Sequence, residues 1–259
     1  MYFMMESIET MKSEIKIILM ERDEITKISG IDFNLLTNLV KFLQPFTECS
    51  EFLSREVVPT ICQYVLWNEK LLRLCSKNAL DSDTMENIKL ATKESLLKRM
   101  KPEQLHYIAL FLNPPFKELK ICNEEQKNDI YNAIKFLSLD VPTNEQDSVG
   151  EEFAASSNTP FWEYMDTRSI NLSPQDEIEI ELQKYKCLKV APDCNVCEFW
   201  NNAKELPMLR FISSNILCIP TSSASSERVF STSGRILEER RSRLCSENVD
   251  KLLFLNKNM

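Results

Sequence analysis

Residues 220–244 read PTSSASSERVFSTSGRILEERRSRL, a run of small and hydroxyl side chains that encloses one acid, Glu227, and ends in a basic tail. Pro220 stops any helix arriving from upstream, and Ser222 and Ser223 are good N-cap residues, so the stretch predicts a new helix starting just after them. An acid in that first turn is favoured by the helix dipole by about 0.3–1 kcal/mol. On pattern alone, Glu227 is a helix-start acid. A catalytic role asks more, because a carboxylate acting on phosphodiesters shares divalent metals with other carboxylates.

Downstream, residues 246–256 form a last predicted helix with Val249, Leu252, Leu253 and Leu255 apolar. With Phe254 included, apolar residues cover more than half of its circumference, so its own domain or a partner must cover it. Upstream, Pro207 opens a helix in which Leu209, Ile212 and Ile216 share a face. Ser173-Pro174 followed by Asp176 and Glu177 has the form of another helix start.

The first half reads the same way. Leu35, Leu36, Leu39, Val40, Phe42 and Leu43 return at helical spacing, and Pro45 is expected to end that helix. A second apolar series begins at Val57 and Val58 and runs on to Leu74. Asp81-Ser82-Asp83 supplies cap candidates for a segment whose inner face holds Ile88, Leu96 and Leu97, and two shorter helices are predicted over 102–112 and 124–137. Alternating strand patterns are scarce. With only 3 glycines in 259 residues, a sheet-rich fold and a phosphate-cradling glycine loop are both disfavoured. The expected class is mainly α, with residues 1–139 a helical region, 140–172 an acidic, polar linker or loop, and 173–259 a further helical region. Within the linker, Phe161, Trp162 and Tyr164 are candidates for local docking.

Composition narrows the function. A net charge of −8 does not suit a surface built to coat nucleic acid. The 9 cysteines are scattered and odd in number, which suits buried thiols in a reducing interior. No stretch has the roughly 18 apolar residues of a membrane helix. Cys194 and Cys197 have zinc-ligand spacing but no second pair follows, and the sole histidine, His106, lies far off in sequence, so no metal site is assigned. Arg235, Arg240, Arg241 and Arg243 are candidate DNA-phosphate contacts, although Glu238 and Glu239 sit among them.

The segment from 222 to 258, SSASSERVFSTSGRILEERRSRLCSENVDKLLFLNKN, resembles the C-terminal signature of the hAT superfamily of cut-and-paste DNA transposases. CEFWNNAKELPMLRFISSNILCIPTSSASSER, residues 197–228, looks like its lead-in, with Phe199-Trp200 where the family usually has two tryptophans. LQPFTECSEFLSREVVPTI, residues 43–61, and IALFLNPPFKEL, residues 108–119, are weaker matches. In the second, Asn113-Pro114-Pro115-Phe116-Lys117 stands where the family reads Asp-Pro-Arg-Phe-Lys.

The resemblance implies a helical bundle-like N-terminal part, and C-terminal helices that belong to an incomplete RNase H-like domain. In that family two aspartates and one glutamate hold two metal ions, and Glu227 matches the glutamate. The aspartates and a zinc-finger DNA-binding domain lie upstream of the region matched here. One carboxylate cannot place two metals by itself, so this chain is expected not to catalyse transposition and to need no cofactor, whereas Mg or Mn belongs to a complete transposase. From about Leu206 onward the family's region is one of dimerisation. That makes Leu206, Leu209, Phe230, Val249, Leu252, Leu253 and Phe254 the candidate residues, with a second copy or a related hAT protein as partner. Three functions remain in view: a transposase-derived dimerising protein, a fragment of a longer active transposase, and a DNA-binding accessory chain. The resemblance implies a nuclear location.

Overall fold

The computed structural model describes residues 1–140, 174–236 and 246–258, with the side chains of 140, 174, 175, 235, 236 and 246 set aside. Every regular element among them is helical. The predicted linker, its three aromatics, and Arg240, Arg241 and Arg243 lie outside the described residues, as does the side chain of Arg235.

Twelve helices follow in chain order among the described residues: α1 (Tyr2–Thr10), α2 (Lys12–Glu21), α3 (Phe33–Leu53), α4 (Tyr64–Leu74), α5 (Asp83–Arg99), α6 (Gln104–Phe111), α7 (Glu124–Leu137), α8 (Pro174–Cys187), α9 (Val196–Asn202), α10 (Pro207–Leu217), α11 (Ala224–Ile236) and α12 (Ser246–Asn258). They form two compact units, one of Met1–His106 together with Ile219–Met259, the other of Tyr107–Cys218.

In the first unit α3 packs against α1, α4 and α5. Phe42, Cys75 and Met85 are buried at its centre, with Leu35, Leu39, Leu43, Phe46, Leu74, Ile88 and Leu96 around them. Asp32 caps α3 by accepting from the amides of Asn34 and Leu35, and Ser82 caps α5 by accepting from Met85.

Pro45 does not end α3, which continues for two more turns to Leu53. A mid-helix proline costs about 3 kcal/mol. Beyond it, however, Phe46 packs on the cluster and Cys49 is buried, and the Phe42 and Phe46 rings lie 5.3 Å apart across the break. Apolar burial on both sides of the proline outweighs one missing hydrogen bond. Val57 and Val58 do not join α4, and Val57 is 92% exposed. Pro59 disfavours helix at Val58, and the chain first makes a 3₁₀ turn at Ile61–Gln63. Leu97 faces solvent because it lies about 100° around the helix from Leu96, which points inward.

The second unit is built on α6, α7, α8 and α10 with a short 3₁₀ turn at Ser138–Asp140. Asn123 and Gln126 form a complete capping box on α7. Phe111, Tyr185 and Trp200 make an aromatic core, with Phe111–Tyr185 and Tyr185–Trp200 centroids both 5.2 Å apart. Leu182, Leu209 and Ile212 are buried as well.

Neither described glycine has a positive φ, and the positive values fall on Asp23 and Leu119 instead. The usual left-handed glycine at a helix C-terminus is therefore not used here. The orphan carbonyls at several helix ends are met by side chains from distant parts of the chain. Asn68 donates to the Met100 carbonyl at the end of α5 (2.8 Å). Tyr185 Oη donates to Phe111 (3.0 Å) and Trp200 Nε1 to Leu112 (2.8 Å), at the end of α6. Lys117 Nζ donates to Tyr185 (2.7 Å) and to Leu188 at the end of α8.

Candidate association site

The motif quoted first folds as predicted: α11 starts at Ala224, and Glu227 is in its first turn. The amide of Glu227 bonds the Ser223 carbonyl (2.9 Å), and the Ser223 hydroxyl donates to Glu227 Oε1 (2.7 Å). Glu227 is exposed. Among the described residues no three or more His, Cys, Asp or Glu side chains come together in a way that would hold a metal ion. The described residues therefore do not fit a two-metal centre.

The rest of the motif serves α3. Leu53 and Ser54 carry carbonyls at the C-terminal end of that helix, where the dipole is negative. Ser222 Oγ donates to Leu53 O (3.2 Å), and Thr221 Oγ1 lies 3.3 Å from the same carbonyl. Thr221 Oγ1 also donates to the buried Thr60 hydroxyl (2.8 Å). Arg228 reaches further, with Nη2 on Ser54 O (2.7 Å) and Nη1 on Glu56 Oε1 (2.5 Å). Lys257 of α12 stands 3.8 Å from the other Glu56 oxygen. The serine-rich start of this stretch signals its own helix cap in the sequence. That its polar groups also cap α3 needed the contact of residues some 170 positions apart.

The candidate dimerisation residues divide. Leu206 and Leu209 are buried in the second unit and Val249 in the first. Phe230 is 73% exposed on α11, Phe254 is 68% exposed on α12, Leu252 is exposed and Leu253 half-buried. Leu255 joins the exposed set. The helices α11 and α12 pack on each other, so these exposed residues belong to one helical pair.

Glu181 was missed by sequence reasoning. It is buried on α8, and its two carboxylate oxygens accept from the amides of Met208 (3.1 Å) and Leu209 (2.9 Å), capping α10. Burial raises its pKa above the ordinary carboxylate value, partly offset by those two amides. The sequence carries no local signal for it, because cap and helix are 27 residues apart.

Cys194 and Cys197 straddle a helix start. Asn195 caps α9 by accepting from Cys197 and Glu198, so Cys197 is helical and not in a loop. His106 is a packed residue. Its ring stacks on Tyr64 at 4.4 Å and Nδ1 accepts from the Glu103 amide (3.0 Å) at the start of α6. Burial lowers its pKa. No helix among the described residues is long and apolar enough to cross a membrane.

A C-terminal pair of packed helices with exposed aromatic side chains is the form of a helical association module. Residues 177–259 match the hAT family C-terminal dimerisation region. Two curated proteins from Zea mays are similar: a putative AC transposase, 26% identical over 171 residues, and a putative AC9 transposase, 30% identical over 171 residues. Each alignment covers 56% of this chain, with 21% of the first relative and 20% of the second. Residues 177–259 are thus similar to the C-terminal part of hAT-family transposases, and the chain spans about a fifth of the length of those relatives.

Proposed function

We propose that the chain is a self-associating module, a homodimer or a partner of a related hAT protein, whose interface centres on Phe230, Leu252 and Phe254. The observation that carries this is the exposure of both phenylalanines on the helical pair inside the dimerisation-region match. Exposed aromatic residues of this size are typical interface anchors. Val249, buried in the first unit, then acts from behind by fixing α12, whereas Leu206 and Leu209 are core residues of the second unit. Sedimentation velocity of the folded chain from low to high micromolar concentration tests it. Phe230→Ser with Phe254→Ser is expected to raise the dissociation constant at least about tenfold, since each is a large apolar anchor. A wild-type chain that stays folded and monomeric throughout overturns the reading.

Catalysis is assigned elsewhere. Glu227 is the match to the third carboxylate of a longer transposase, and the described residues bring no complete centre together. Supporting this, its carboxylate stands apart from any metal-holding cluster among the described residues. Incubating the chain with DNA and Mg or Mn is expected to give no cleavage, and cleavage abolished by Glu227→Gln sinks this assignment. The same family resemblance supports a nuclear location as part of this proposal. A direct DNA contact through Arg235, Arg240, Arg241 and Arg243 is the less favoured function, given the net charge of −8, and a salt-dependent gel shift decides it.

A further inference from the structure

We infer that the junction between the α3 C-terminus and the start of α11 is a salt-sensitive latch, with Glu56 as its keystone, that fixes how α11 presents Phe230. The inference rests on the dimerisation reading only for its consequence; the latch itself stands on the intramolecular contacts.

Glu56 lies outside the matched region, in the exposed turn after α3, yet it holds two of that region's helices. One oxygen meets Arg228 of α11 and the other faces Lys257 of α12. Arg228 is itself divided between Glu56 and the Ser54 carbonyl, a two-pronged grip that lysine cannot reproduce. Thr221 and Ser222 add polar contacts at the same junction, their hydroxyls to Leu53 and Thr60 and the Thr221 amide to the Thr60 hydroxyl. Among the described side chains of α11, Ala224, Ser225, Val229, Thr232 and Ser233 are half-buried and the others exposed.

Two consequences follow from the chemistry. The charges are substantially exposed, with Arg228 at 54% and Glu56 at 37%, so salt screens them. An apolar interface responds in the opposite sense, because excluded salts strengthen burial. Salt therefore separates the latch from the interface it presents.

The test is hydrogen exchange of α11 amides in the dilute full chain, at about 0.05 and 1 M NaCl, chosen to span Debye lengths from over 10 to about 3 Å. In wild type, salt is expected to speed α11 exchange about two- to fivefold, the range set by exposed ion pairs. Glu56→Gln is expected to exchange fast at both salts, and Arg228→Met faster still, because it also leaves the Ser54 carbonyl. The α4 and α5 amides report that the fold is retained. Sedimentation of Glu56→Gln is expected to show dimerisation weakened about two- to fivefold at low salt, with the difference from wild type shrinking at high salt as the ion pair is screened.

Wild-type exchange behaviour in Glu56→Gln overturns the latch. Faster α11 exchange in Glu56→Gln with unchanged dimerisation overturns its coupling to the interface. A salt-responsive latch in a chain that never dimerises sinks the dimerisation reading and leaves the latch standing.

Discussion

Glu181 and Leu209 are joined by a carboxylate-to-amide hydrogen bond of 2.9 Å in the core of the second unit, and the same carboxylate reaches Met208 with its other oxygen. Two of the orphan amides of α10 are thereby satisfied by a buried side chain of α8.

Replacing Glu181 by Leu leaves those two amides unmet and is expected to cost roughly 1–3 kcal/mol, read by urea denaturation. Glu181→Gln keeps an acceptor and should cost less. The pH response gives a second reading. Burial raises the folded pKa above the unfolded one, so the group's contribution is full below the ordinary carboxylate value and is lost as pH rises through the raised value. The stability of wild type relative to Glu181→Gln is therefore expected to fall as pH rises from about 4 upward, starting at the ordinary carboxylate value. A constant difference across that range contradicts the assignment.

Lys117 closes α8 from the opposite end. Its ammonium donates to the Tyr185 and Leu188 carbonyls and lies 5.3 Å from the Tyr185 ring centroid. Lys117→Met preserves the stem but abandons a buried carbonyl, at an expected cost of roughly 1–3 kcal/mol in chemical denaturation. Lys117→Arg should recover part of that loss. If Lys117→Met is as stable as wild type, the ammonium is not holding the helix end.

His106 couples the start of α6 to pH. Its folded pKa is lowered by burial, so the neutral ring is preferred, and Nδ1 is the acceptor for the Glu103 amide. Stability from this group is present above the ordinary histidine value and lost as pH falls through it toward the lowered folded value. Thermal melts from about pH 8 down to about 5, around the ordinary histidine value of ~6.5, are expected to show a falling Tm in wild type and a flatter profile in His106→Gln. Glutamine is chosen because it reaches back to the cap amide in the same way. Equal slopes in the two proteins rule the histidine out.

Pro45 offers a gain. α3 passes through it without the hydrogen bond to the Lys41 carbonyl. Pro45→Ala is expected to stabilise the first unit by about 1–3 kcal/mol, measured as a rise in the denaturation midpoint. A drop instead would show that the proline shapes the packing of Phe42 against Phe46.

Local chemistry was legible wherever cause and effect lie within a turn or two. Ser82, Pro174 and Pro207 start helices where the pattern places them, because capping and proline geometry act on neighbouring amides. The hAT signature was legible for a similar reason: it is a string of side chains read in order. The same locality misled at Pro45, where the proline's penalty is local but Phe46 and Cys49 are buried by other helices.

What the sequence determined by itself was helix content, most helix starts and the resemblance of residues 177–259 to the hAT dimerisation region. It did not determine which apolar residues of the dimerisation region point outward. Leu209 and Phe254 look alike as apolar helix positions, yet one is fully buried and the other 68% exposed. Nor did it reveal that Glu181, Lys117 and Arg228 close the ends of helices other than their own. Only the tertiary structure decided these, because exposure and capping across 27 to 174 residues depend on which segments meet, and periodicity reports only the face a helix must bury.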